Sequence, residues 1–98
     1  MTAYVIADVT VTNPEGYAPY RSLAAASIAQ YGGKFIARGG PVEPLEGGWS
    51  PTRVVIIEFP SMAVAKSWYA SPEYQAALKI RLANSTGRVI MTEGVAAA

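Results

Sequence analysis

A chain of 98 residues with net charge +1, 51% hydrophobic and only 15% charged residues, against about 25% charged in a typical soluble domain, has a thin core and much apolar surface to cover. Its eight Lys and Arg are spread singly along the sequence, which leaves no basic stripe for phosphates and argues against nucleic acid as a partner. With no cysteine and no histidine, it lacks the residues for disulfides, thiol nucleophiles, haem held by His or Cys, His-bearing zinc sites and Ser-His-Asp triads, so neither a metal nor a cofactor is expected.

Met1 to Tyr4 carry no basic stretch and run straight into a strand pattern, and no apolar run is long enough to span a bilayer. Neither a signal peptide nor a membrane is therefore expected, and the cytoplasm is the expected location. YVIADVTV, from Tyr4 to Val11, is a β-branched run of strand length. Asn13 is placed to cap a helix whose first residue is Pro14, where the missing amide hydrogen is no loss. Tyr17, Tyr20, Ala24, Ile28 and Tyr31 recur at helical spacing until Gly32 and Gly33 end the helix. Lys34 to Arg38 reads as a short second strand, and Gly39 to Thr52 as a long irregular connection rich in Gly and Pro.

RVVIIEF, from Arg53 to Phe59, is the third strand, closed by Pro60, with Ser61 placed to cap a helix through Tyr69. Ser71, Pro72 and Glu73 repeat the sequence of cap, first helical position and acidic first turn, so the second helical region breaks near Ala70. RVIMTE, from Arg88 to Glu93, is the last strand, and residues 94–98 are expected to fray. The order β-α-β-β-α-β predicts one α+β domain of ferredoxin-like type over residues 1–98, with a four-stranded antiparallel sheet.

Helices cover one face of such a sheet, so the other should turn polar if it met water. It does not. Val5, Ala7, Val9 and Val11 lie opposite Tyr4, Ile6, Asp8 and Thr10; Val55, Ile57 and Phe59 lie opposite Val54, Ile56 and Glu58. Both faces call for burial, which predicts a homodimer of two sheets packed face to face with a cavity between them.

Asp8 and Glu58 interrupt those apolar faces, and a buried carboxylate needs a partner or a raised pKa. The antiparallel ladder brings Asp8, Arg38 and Arg53 to one end of the sheet and Glu58 to the other, near Tyr4. Arg38 and Arg53 suit bidentate binding of a carboxylate or phosphate, and Glu58 or Asp8 suits a base. The competing reading makes these groups ion pairs that hold strand register or a dimer interface. Trp68 reads chiefly as packing and secondarily as a ligand contact. Arg81, seven residues after Tyr74 on the same helical face, reads as a ligand contact or as the partner of Glu73 or Glu58. Trp49, an indole in a Gly/Pro-rich loop, needs cover from a cavity or a second subunit. The paired glycines at 32–33, 39–40 and 47–48 match no phosphate loop.

YGGKFIARGG (31–40), LEGGW (45–49), RVVIIEFPS (53–61) and WYASPEYQ (68–75), followed by Arg81, resemble the family numbered 1330 among domains of unknown function. The resemblance runs from the first strand to Glu93 and implies the dimeric α/β barrel superfamily, which holds cofactor-free monooxygenases, muconolactone isomerase-like enzymes and haem-binding proteins. It places Arg38, Glu46, Arg53, Glu58, Trp68, Ser71, Tyr74 and Arg81 at characteristic positions and assigns them no reaction. The absence of histidine departs from the haem-binding and many monooxygenase relatives. The expected function is a dimer binding a small organic anion, with cofactor-independent acid/base chemistry by Glu58 or Asp8. The alternative is a non-catalytic binding or assembly module. RNA binding on the open sheet expects exposed aromatics and basic charge on the central strands, and RVVIIEF supplies neither.

Overall fold

The computed structural model describes residues 1–95. Strand β1 (Ala3–Val11) leads into helix α1 (Pro14–Gln30), where the Asn13 side chain accepts from the Gly16 amide at 3.4 Å and Pro14 takes the first helical turn. Gly32, at φ 74°, supplies the left-handed residue that turns the chain out of α1. Strands β2 (Lys34–Arg38) and β3 (Val54–Phe59) follow, then helices α2 (Met62–Ala70) and α3 (Pro72–Asn84) and strand β4 (Ser85–Glu93). Ser61 caps α2 through the Val64 amide at 3.1 Å. Ser71 ends α2 and starts α3, its Oγ accepting from the Tyr74 amide at 3.2 Å and donating to the Trp68 carbonyl at 2.6 Å. The break near Ala70 is this one serine serving two helices.

The strands form one antiparallel sheet in the order β2-β3-β1-β4, the α+β ferredoxin-like arrangement, with β1 and β3 at its centre. Two local features differ from the sequence reading. Strand β4 begins at Ser85 rather than Arg88, pairing Ser85, Thr86 and Gly87 with Val11, Thr10 and Val9. The bare Cα of Gly87 admits the pairing: a Cβ there would meet the Asp8 carbonyl at 2.6 Å and the Val9 Cα at 3.2 Å. The second feature is a bulge in β2. Phe35 pairs with Ile57 but Ala37 with Ile56 and Arg38 with Val55, so Ile36 is extra and every later side chain of the strand changes face.

The helices cover the face that carries Val5, Val9, Ile57 and Phe59, and the core joins these to Ala24 and Ile28 of α1, Ala65 and Trp68 of α2, and Tyr74, Ala77 and Leu78 of α3. Trp68 sits at its centre. Its ring lies 5.0 Å from Phe59 and 4.1 Å from Tyr74, and its indole N–H donates to Ser27 Oγ at 3.0 Å, which in turn donates to the Ala24 carbonyl at 2.8 Å. The opposite face keeps Ile36 and Ile90 exposed, with Tyr4, Ile6, Val54 and Ile56 only half-buried. At the end of β4, Gly94 is tied to the Thr2 carbonyl at 2.8 Å, so the tail expected over 94–98 is anchored at its first residue, and 96–98 lie outside the described residues. No helix among the described residues is long and apolar enough to cross a membrane.

Ser27→Ala leaves a buried indole N–H without an acceptor, and is expected to lower stability in urea unfolding by about 1–3 kcal/mol. A change within about 0.3 kcal/mol would show that the Trp68–Ser27 bond carries no stability.

Candidate functional site

Between the helices and the sheet lies a cavity of about 50 Å³. The strands line it with Val5, Val9, Val55, Ile57 and Val89, and the helices with Tyr17, Tyr20, Trp68 and Tyr74. Four arginines converge on it from four elements or their edges: Arg21 of α1, Arg38 of β2, Arg53 just before β3, and Arg81 of α3. No Asp or Glu is among its lining residues. Every arginine of the chain except Arg88 therefore faces one largely apolar cavity.

The deep pair is Arg53 and Arg81. Arg81 is 6% exposed, and the Nε of each is buried with no hydrogen-bond partner. Arginine is almost never buried without a counter-charge, because desolvating a guanidinium is costly unless a carboxylate or similar group replaces the lost water. Gly39 lets Arg53 lie flat against the chain: a Cβ there would fall 2.6 Å from an Nη of Arg53, and its φ of 72° is the left-handed conformation that glycine adopts freely. At the rim, exposed Arg38 lies over the Phe35 ring at 4.2 Å, and exposed Arg21 over the Tyr17 ring at 5.5 Å.

Tyrosines supply the remaining polar groups. The Tyr20 and Tyr74 hydroxyls hydrogen-bond each other at 3.0 Å. Burial raises the Tyr20 hydroxyl pKa well above the usual tyrosine range, and the Tyr74 hydroxyl adds to the rise. Burial also raises that of Tyr17, opposed by the Arg53, Arg21 and Arg81 guanidiniums. Tyr17 and Tyr20 therefore keep their protons near pH 7 and can donate.

The sequence-predicted ligand residues Arg38, Arg53, Trp68 and Arg81 are thus brought to one cavity, but Asp8 and Glu58 are not. Asp8 shares the end of the sheet with Arg53 but points to the other face. The expected cluster of Asp8 with Arg38 and Arg53 does not form, for two reasons. Alternation sets Arg53 on the face of Val55, and the bulge at Ile36 turns Arg38 to that face as well. Asp8 instead meets Arg88, its cross-strand neighbour, at 3.8 Å and accepts from the Trp49 indole at 3.3 Å. Glu58 pairs across to Lys34 at 3.6 Å. Both pairs are largely solvated on their basic side, which makes them weak register contacts. Neither Glu58 nor Glu73 pairs with Arg81: Glu73 accepts from Gln30 at 3.3 Å.

Trp49 remains 56% exposed beside a second depression of about 200 Å³ on the open face, lined by Ile6, Asp8, Val54, Arg88 and Ile90. The cavity within the chain thus lies between sheet and helices, whereas the sequence reading set one between two sheets. Tyr17, Tyr20 and Arg21 are site residues the sequence reading took for helix packing or left aside. For the two tyrosines the signal was the hydroxyl that a tyrosine in the core must satisfy. Among the described residues, no group of three or more His, Cys, Asp or Glu is placed to hold a metal ion.

The sequence matches the family described as Domain of unknown function (DUF1330) over residues 2–95. The chain belongs to that family. No curated protein matches it. Among solved structures, a Rhodopseudomonas palustris protein of unknown function superposes with TM-score 0.78 at 23% identity, covering 98% of this chain and 84% of that one. A dimeric ferredoxin-like protein of unknown function from Jannaschia sp. CCS1 gives TM-score 0.69 at 15% identity, covering 96% and 100%. SnoaB, a cofactor-independent oxygenase from Streptomyces nogalater, gives TM-score 0.64 at 18% identity, covering 98% and 94%. At these identities the likeness establishes the shared ferredoxin-like fold.

Two predictions follow from the cavity's chemistry. Arg81→Met removes an uncompensated buried charge at similar volume and is expected to raise the melting temperature, by an amount equivalent to about 1 kcal/mol or more; a fall would mean that Arg81 is internally compensated. The second concerns pH. The folded-state pKa values of Tyr17 and Tyr20 lie above the ordinary value of 10.0, so the folded chain holds protons that the unfolded chain releases. Their contribution to stability is complete below pH 10.0 and is lost as pH rises beyond it. Urea unfolding across the alkaline range should show that decline, and Tyr20→Phe should flatten it. An unchanged slope in the variant would contradict the assignment.

Proposed function

We propose that this protein forms a homodimer through its open sheet face and that each protomer binds a small organic anion between its sheet and its helices. The single observation that carries the reading is the pair of buried Nε atoms on Arg53 and Arg81, partnerless in a cavity that no carboxylate lines. An arginine Nε–H and its neighbouring Nη–H make the side-on fork that grips a carboxylate through two parallel bonds. The apolar strand residues and Trp68 suit a hydrocarbon body attached to that carboxylate, and the tyrosine hydroxyls suit a second oxygen. On this reading, the hydroxyls of Tyr17, Tyr20 and Tyr74 are the groups able to move a proton in the cavity. Asp8 and Glu58, across the sheet, serve as ion pairs near the surface between protomers. Dimerisation is supported by the apolar open face and by the dimeric Jannaschia neighbour. The fold shared with SnoaB supports chemistry without a cofactor as an extension of binding in the same cavity.

The test is direct. Short-chain carboxylates at millimolar concentration should raise the melting temperature of the wild-type chain, and Arg53→Gln and Arg81→Gln should each weaken calorimetric binding by about tenfold or more. Binding that survives both substitutions would end the proposal. Sedimentation at micromolar concentration should give the mass of a dimer; a monomer would remove the dimer part alone.

A further inference from the structure

We propose that residues 40–48 form an arm that crosses to the second copy in the homodimer and seats Leu45 in the depression beside the partner's Trp49. This rests on the homodimer reading above and adds to it the element that fastens the two copies together.

The arm stands clear of its own chain. Every residue from Arg38 to Ser50 is exposed, Leu45 at 89%. At Gly40, Gly47 and Gly48 an added Cβ would meet nothing within 4 Å. Among the described residues, hydrogen bonds hold the connection to the rest of the fold only at its roots: the Gly39 amide donates to the Val54 carbonyl at 2.9 Å, the Trp49 indole to Asp8 at 3.3 Å, and the Thr10 hydroxyl to Thr52 at 3.1 Å. Pro41 and Pro44 fix two φ angles between those roots, which keeps the segment extended rather than collapsed. An apolar side chain held out in this way gains nothing for a lone chain, and burying it on a partner returns about 1.5–3 kcal/mol.

Charge and shape point to a second copy as the surface that receives it. The arm alternates apolar and acidic residues, Val42 and Leu45 with Glu43 and Glu46, and among the described residues neither glutamate is in an ion pair. The open sheet face offers the converse. Ile6, Val54 and Ile90 line a depression of about 200 Å³ with Arg88 at its margin, and Lys34 lies on the same face along β2. Both basic side chains are largely solvated, at 79% and 70% exposure, and free to meet a carboxylate from outside. The arm leaves its own depression open, with Trp49 beside it still 56% exposed. Each copy carries both the arm and the surface that fits it, the self-complementary relation that a two-fold axis needs. From Gly40 to Leu45 an extended chain spans up to about 17 Å, more than the roughly 10 Å between sheets packed face to face.

Sedimentation of Leu45→Asp, a change at an exposed side chain that leaves folding intact, should show a dimer dissociation constant raised at least about tenfold over the wild-type chain, with an unchanged circular dichroism spectrum. The chain has no cysteine, so introduced thiols report contact without background. A mixture of Leu45→Cys chains and Ile90→Cys chains under a mild oxidant should give a disulfide-linked pair with one chain of each kind. The same mixture with Lys79→Cys, exposed on α3 at the helix side, should give far less. A wild-type chain that sediments as a monomer overturns the dimer reading and this inference together. A wild-type dimer whose affinity Leu45→Asp leaves unchanged overturns the arm and leaves the dimer standing. A Leu45→Cys/Ile90→Cys double variant that closes its disulfide within one chain also overturns the arm, by showing that it folds onto its own face.

Discussion

The buried Arg81 and the half-buried Arg53, each with an Nε out of water and without a partner, set the terms for the rest of this structure. In a small domain with a thin core, a charged side chain at the helix–sheet junction works against folding, and the chain makes no use of Asp or Glu to relieve it. What allows it is the surrounding frame. Trp68, Phe59 and Val5 are its largest fully buried side chains, and the Trp68–Ser27 bond ties α2 to α1 across the core. Ser71 fixes the angle between α2 and α3, and α3 then sets Arg81 at the cavity seven residues beyond Tyr74. Trp68 and Tyr74 belong to both, packing in the core and lining the cavity that the arginines face.

The sheet divides the molecule's roles by face. Odd-numbered residues of β1 and β3 look to the helices and the arginine cavity, while even-numbered ones look outward, where Asp8 and Glu58 meet Arg88 and Lys34 across the strands. One extra residue in β2 decides to which side Arg38 belongs. Without the bulge at Ile36 it would join Lys34 on the outer face; with it, Arg38 reaches the cavity and Ile36 is left exposed.

The element order and the caps were legible in the sequence because each rests on local chemistry: Asn13-Pro14, Ser61 and Ser71-Pro72 announce helix starts, and the β-branched runs have nowhere else to go. Arg38, Arg53 and Arg81 were legible as candidate ligand contacts, since a sparse arginine in a chain so poor in charge invites a specific role, and Trp68 chiefly as packing. Their meeting point was not. Nothing in KFIAR marks a bulge, because the run alternates acceptably without one, and the face of Arg38 depends on a pairing that only the third strand reveals. Nor does the sequence show that Gly87 serves a close approach of β4 to β1, which lets that strand begin at Ser85. Tyr17 and Tyr20 fit helical packing so well that their hydroxyls went uncounted as site groups.

The measurement that bears most directly on the central claim is the nuclear magnetic resonance of the arginine Nε–Hε groups, assigned to Arg53 and Arg81 by single substitution. The account predicts that acetate, a short-chain carboxylate, shifts both of these resonances and slows the exchange of their protons with water, while Arg88 on the outer face is unmoved. Unshifted Arg53 and Arg81 signals at saturating acetate, or signals already protected from exchange in its absence, would contradict it.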